Sequence, residues 1–275
     1  MRRPVVALLC LLVYFVAPTA SVNAGQTASG NPKAAGVANF KIEPIKTLRK
    51  GVDAWPLIVN PGTPAELLVN STLTQLNLRL ALALRDCDVG ALESLKLMGE
   101  QAGPRGSVSE DWSRKVQVTM TGPRFLSIVA TDETFCGGAH PDADRNALVF
   151  DMTTGALVEW SALVAKPSGA ASEAGSGLDG TTSIRLVFPA LEKINASRAD
   201  AECKDAFWLP QSFLIWPDAQ KGSLIVQEAD LPHVVQSCAI EIALTIDEAR
   251  KLGFDESLLN AIEQAHRRFV SKPKL

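Results

Sequence analysis

The 275-residue sequence predicts an α+β fold: antiparallel sheet strands with packed helices, in two disulfide-stapled halves. Three observations carry this. A helical run of leucines begins behind a capping signal at Thr63, the apolar period then changes from helical to two beyond Asp111, and strands and helices are segregated rather than strictly alternating. An even set of cysteines supplies the staples.

The elements follow in chain order. Arg2 and Arg3, the apolar run Val5 to Ala17 and the small residues around Ala24 read as a secretory signal peptide, residues 1–24. The run is too short to span a bilayer, so no stable membrane insertion is expected after cleavage, and Cys10 lacks the small neighbour of a lipoprotein signal. Residues 25–50 read as a flexible leader, with order beginning near Phe40 or Ile42. In Thr63-Pro64-Ala65-Glu66, Thr63 can cap, Pro64 suits the first turn and Glu66 completes a capping box. Leu73, Leu76, Leu80, Leu84 and Cys87 continue the period, which predicts a helix from Pro64 to about Arg85.

Val116, Val118 and Met120 alternate with polar residues, Thr121-Gly122-Pro123 turns the chain, and Phe125 to Ala130 reads as a strand covered on both faces. Asn146 to Met152 and Ala156 to Trp160 flank Thr153-Thr154-Gly155 as a hairpin with glycine at the left-handed position. Residues 166–182 are rich in Gly, Ser and Ala and read as a loop joining two halves, about 51–165 and 183–275. Gly175-x-Gly177-x-x-Gly180 matches the dinucleotide fingerprint, but no strand is predicted before it, so the spacing is assigned to the loop. Ile184 to Ile194 reads as a helix interrupted at Pro189. Phe213 to Trp216 and Leu224 to Val226 bracket a turn, Cys238 to Leu244 alternate as a strand, Thr245 opens a short helix closed by Gly253, and Asp255 caps a last helix with Leu258, Ile262 and Phe269 on one face.

Cys10 leaves with the signal, and the remaining four cysteines permit three pairings in an oxidising compartment. The glycine-rich stretch between them favours Cys87 with Cys136 and Cys203 with Cys238. Lys plus Arg number 27 against 30 Asp plus Glu, a net charge of −3, which gives nucleic acid no electrostatic attraction.

The densest polar cluster runs from Cys136 to Asp144. His140 with Asp142 and Asp144 could ligate a metal, and Cys136 assisted by His140 could act as a nucleophile. An exported thiol with pairing partners does not stay reduced, and Asp142-x-Asp144 offers too few oxygens for calcium. The cluster therefore reads as a tight turn presenting a binding loop, with no metal, no cofactor and no catalytic residue assigned. His233, after Leu231-Pro232, is a second loop histidine, and His266 edges the last helix's core face. Arg267, Arg268, Lys272 and Lys274 form a basic tail. Trp208 and Trp216 could stack on sugar but read more simply as core. The G-x-S-x-G, H-E-x-x-H and P-loop patterns are absent from the sequence.

Cys136-Gly137-Gly138-Ala139-His140-Pro141, followed by Leu148 to Gly155, resembles the RsiV/PdaC-like extracytoplasmic domain family, in which a Gly-Gly-Ala-His turn precedes a strand ending in Asp-x-x-Thr-Gly. Gly222 to Val226, Leu231 to Val235 and Ala239 to Leu244 resemble that family's C-terminal part. The resemblance spans about Trp55 to Leu252. It implies a mixed α+β domain without deacetylase chemistry, since Cys136 stands where the deacetylase's metal motif has its first histidine. The expected function is recognition of a cell-envelope ligand, a glycan or a lysozyme-like protein, by a periplasmic or secreted non-catalytic domain. A hydrolase of envelope polymers using carboxylates outside any motif is the alternative.

Overall fold

The structure, a computed structural model, describes residues 40–97, 112–137, 140–166, 168–206, 211–229 and 231–271. The signal peptide, residues 25–39 of the leader, Gly138 and Ala139, Trp208, and Lys272 and Lys274 lie outside the described residues.

Short strands open the described chain: β1 (Lys41–Ile42), β2 (Thr47–Arg49), β3 (Val52–Asp53) and β4 (Ile58–Val59). The first two fall inside the segment read as leader, because β1 pairs with β4 and β2 with β3. Helix α1 (Pro64–Leu97) starts as the capping box requires, with the Glu66 amide donating to Thr63 Oγ1 at 3.2 Å. It runs three turns past Arg85, where the sequence reading stopped it. Cys87 and Ala91 continue its buried face beyond Arg85, and Gly90 sits against the Cys136 carbonyl so closely that a Cβ there would lie 2.6 Å from that oxygen. Glycine mid-helix is tolerated where another backbone must come this near.

Strands β5 (Trp112–Thr121), β6 (Phe125–Thr134), β7 (Asp142–Asp151) and β8 (Ala156–Leu157) follow as antiparallel neighbours. With β2 and β3 they form a six-stranded sheet of order β2-β3-β5-β6-β7-β8. Gly155 takes φ 77° at the β7–β8 turn, the left-handed geometry that the sequence predicts there.

The second sheet holds β9 (Ala171–Ser176), β10 (Thr182–Val187), β11 (Ser212–Asp218), β12 (Ser223–Glu228) and β13 (Glu241–Leu244), in the order β13-β12-β11-β10-β9. Two expectations are corrected here. The glycine-rich stretch contains a strand, since β9 pairs with β10 over six residues. Ile184 belongs to β10, and α2 (Pro189–Arg198) begins at Pro189 rather than being interrupted by it, as a proline in the first helical turn permits. The segment Cys238 to Ile240 is likewise not strand: a 3-10 helix, His233–Cys238, precedes β13.

Helices α3 (Ile246–Lys251) and α4 (Glu256–Ser271) end the fold. A full capping box at Thr245 and Glu248 opens α3. Thr245→Ala is expected to cost about 1 kcal/mol in urea denaturation, the usual worth of an N-cap. On α4, Leu258 and Ile262 are buried as the sequence reads, whereas Phe269 is 48% exposed and lies off that face. His266 places Nδ1 2.8 Å from the Ala219 carbonyl oxygen, at the core's edge.

Strand β6 is buried from Phe125 through Ala130 because both faces of its sheet are covered. On one side Leu126, Ile128 and Ala130 pack with Val69, Leu73 and Leu76 of α1. On the other, Phe125 and Val129 join Leu186, Phe213 and Val226 of the second sheet, with α2, α3 and α4 closing the same core. Two disulfides, Cys87–Cys136 and Cys203–Cys238, pair as the sequence favours.

Candidate functional site

Strand β7 leads into a cleft of about 390 Å³. Asp142, Asp144 and Arg145 line it from β7, Leu178 and Arg185 from the β9–β10 hairpin, and Gln236 from the 3-10 helix. Two of the residues singled out in the sequence, Asp142 and Asp144, thus stand together. His140 precedes them on the exposed β6–β7 turn, its Nδ1 3.1 Å from the Pro141 carbonyl oxygen, and it is not among the lining residues. His233 begins the 3-10 helix that brings Gln236 to the cleft, and its side chain lies outside the described residues.

The local fold explains what the two aspartates do. Strand β8 pairs only with Phe150 and Asp151, so the first half of β7 is an open sheet edge. Val158 donates to the Val149 carbonyl at that edge, so odd-numbered residues of β7 turn their backbone outward. Asp144 Oδ1 accepts the outward Arg145 amide at 2.8 Å, and the Gln236 amide donates to the Ala143 carbonyl. The edge is thereby blunted against strand addition. Asp144 Oδ2 accepts from the Leu178 amide and from Asn146 Nδ2, each at 2.9 Å, which fastens the hairpin tip to β7. Burial pushes the Asp144 carboxyl up, against these hydrogen bonds that lower it. Asp142 is exposed where it lines the cleft.

Arg145 closes the cleft's far side. Its Nη1 donates to Gln227 at 2.6 Å and to Glu241 at 2.5 Å, joining the two sheets, and its guanidinium lies 5.7 Å from the Trp216 ring centroid. Trp216 is buried beneath it, as core. Glu228, where β12 ends against the cleft, is held by Asn195 Nδ2 at 2.8 Å, and burial pushes its carboxyl up to about 7.

A second polar cluster lies behind the hairpin tip. Arg114, Asp132 and Asp144 stand in one cross-strand row of the sheet. Arg114 Nη1 is 2.8 Å from Asp132 Oδ2 and 2.9 Å from Asp179 Oδ2, and all three side chains are fully buried. Trp112 Nε1 donates to Asp132 at 2.7 Å, and the Arg114 guanidinium stacks 4.6 Å over the Trp55 ring. The sequence reading missed this cluster. Its signal was a charge in the inward phase of two successive strands, Arg114 in step with Trp112 and Val116, and Asp132 in step with Ala130.

The glycine fingerprint also resolves. A strand does precede Gly177, but β10 rather than a helix follows, so no helix N-terminus is presented to a phosphate. Gly177 is required for contact: a Cβ there would lie 2.1 Å from Asn146 Nδ2. Among the described residues there is no group of three or more His, Cys, Asp or Glu side chains that could hold a metal ion, and no helix is long and apolar enough to cross a membrane.

Disulfides persist in oxidising compartments, so two of them on this α+β framework mark an extracytoplasmic protein. No protein-family model matches the chain, and no curated protein matches it. Among solved structures, the chain is similar to a DUF3298 family protein from Pseudomonas aeruginosa, at 12% identity and a TM-score of 0.32, over 54% of this chain and 64% of that one. It is also similar to a DUF3298 family member from Bacteroides fragilis, at 10% identity and a TM-score of 0.44, over 84% of this chain and 99% of that one.

Proposed function

We propose that this chain is a periplasmic or secreted recognition domain of the RsiV/PdaC-like kind, whose cleft beside Asp142 and Asp144 binds a cell-envelope ligand, a glycan or a lysozyme-like protein. The observation that carries the reading is the state of the cleft's charged groups. Asp144 is bonded to the Leu178 and Arg145 amides, and Arg145 to Gln227 and Glu241, so these groups are engaged in shaping a wall. A rigid, prearranged polar wall with Leu178, Leu214 and Leu231 beside it suits binding.

Mature protein is expected to be retained on purified peptidoglycan or on immobilised lysozyme, and Asp142→Ala with Leu178→Ala is expected to weaken retention about tenfold or more while leaving the thermal midpoint within a few degrees. Absence of retention on both supports removes the reading. The second reading, hydrolysis of an envelope polymer, draws on Glu228, whose carboxyl at about 7 stands at the same cleft. Mass spectrometry of wall material after incubation separates the two, because only an enzyme changes the polymer.

A further inference from the structure

The hairpin tip between β9 and β10 supplies Gly177 and Leu178 to the cleft, yet it is held from behind. Asp179 ion-pairs with Arg114, Thr181 donates to Asp179 through its amide at 2.8 Å and its hydroxyl at 2.7 Å, and Arg79 of α1 reaches the Gly180 carbonyl at 3.4 Å. The guanidinium of Arg114 meets two carboxylates from different elements, Asp132 of β6 and Asp179 of the tip, through the same nitrogen. Three enclosed charges of this kind leave an excess negative charge with no water to screen it. Two carboxylates converging on one cation in a buried site favour a shared proton.

We propose that Arg114, Asp132 and Asp179 form a proton-sensitive latch, which fixes the β9–β10 tip, and with it one wall of the cleft, more firmly in mildly acidic medium than in neutral medium. Once Asp132 takes up a proton, its repulsion of Asp179 ceases and the guanidinium serves the tip alone. Above that point the two carboxylates compete for Arg114 and the tip loosens. Burial raises Asp132 to about 6, with Arg114 and the Trp112 indole opposing and Asp179 assisting. Asp144 of β7 faces the cluster through Asp179, Arg185 of β10 faces Asp144 and Glu173, Arg79 of α1 meets the tip at the Gly180 carbonyl, and Asp53 of β3 is turned to the Val116 amide. Asp144 also titrates upward and accepts the Leu178 amide, so the variant at 132 is needed to assign the response.

That the tip walls a binding cleft rests on the function proposed above, but the latch is read without any ligand. Amide hydrogen exchange of the full mature chain, corrected for the intrinsic pH dependence, measures protection at Leu178, Gly180 and Thr181. Protection is expected to fall about tenfold between pH 5 and pH 7.5, the change that one unit of pKa difference carries, with a midpoint near the Asp132 titration. Asp132→Asn is expected to hold the acidic level of protection at every pH, and Asp179→Asn to lose it throughout. Flat protection in the wild-type chain, or an unchanged pH response in Asp132→Asn, overturns the latch. If Asp132→Asn does not fold, Asp144→Asn takes its place: a pH response that survives it supports the latch, and one that it abolishes overturns the latch. Failure of ligand retention leaves this result untouched, and a flat profile leaves the binding reading untouched.

Discussion

Arg114→Ala is expected to destabilise the chain by about 3–5 kcal/mol at pH 7.5, read as the shift in urea denaturation, because removing one member of a buried ion cluster strands the others. Asp132 and Asp179 would remain fully enclosed with no cation between them. The indole of Trp112 and the Thr181 hydroxyl still donate to them, but neutral donors do not offset an uncompensated buried charge. The loss should shrink at pH 5, where Asp132, raised by burial, takes up a proton. The wild-type chain carries a related signature: Asp132 is raised in the folded state, so the native chain binds more protons than the unfolded one between about pH 4 and pH 6, and this group's contribution to stability declines as pH rises through that window. Removing all three charges together, as Arg114→Met with Asp132→Leu and Asp179→Asn, is expected to recover much of the loss. A cost below about 1 kcal/mol for Arg114→Ala would show that the cluster is hydrated or open, and the enclosed latch would go with it.

The cluster also shows where sequence reading stops. Wherever a local rule decides the outcome, the expectation holds: the Thr63 and Thr245 capping boxes, the doubly covered run of β6 and the Gly155 hairpin all follow from neighbouring residue types. Where a distant element decides, it fails. The glycine-rich stretch looks like a loop because its residues are small, but they are small because Arg185 covers Gly175 and Asn146 meets Gly177. Gly90 stands inside α1 where it meets the Cys136 carbonyl, a contact 46 residues away in the chain. Asp142 and Asp144 were legible as a polar pair on a turn. Arg185 and Gln236 could not be joined to them without knowing that two sheets stack, and Asp144 emerges as a fastener of the tip and the edge rather than as a free ligand group.

Replacing Cys87 and Cys136 together by alanine is expected to cost about 4 kcal/mol, since the bridge closes a separation of 49 residues and its loss releases the unfolded chain. Cys203 with Cys238, separated by 35 residues, should cost nearly as much on the same grounds. Alanine keeps the first site apolar, which matters because Cys87 is buried with Val52, Leu80, Leu84 and Trp112. The two bridges differ in what they hold beside the cleft. Cys136 ties the β6–β7 turn to α1, just ahead of Asp142. Cys238 ends the 3-10 helix that presents Gln236 to the Ala143 carbonyl. Opening either bridge therefore loosens a different wall, and each double variant is expected to lose ligand retention even at temperatures where it remains folded. Equilibrium denaturation with and without reductant measures the first effect, and the retention assay measures the second. If both double variants kept wild-type stability, the sulfurs would not be fasteners of this framework, and the case for an oxidising compartment would lose its physical basis.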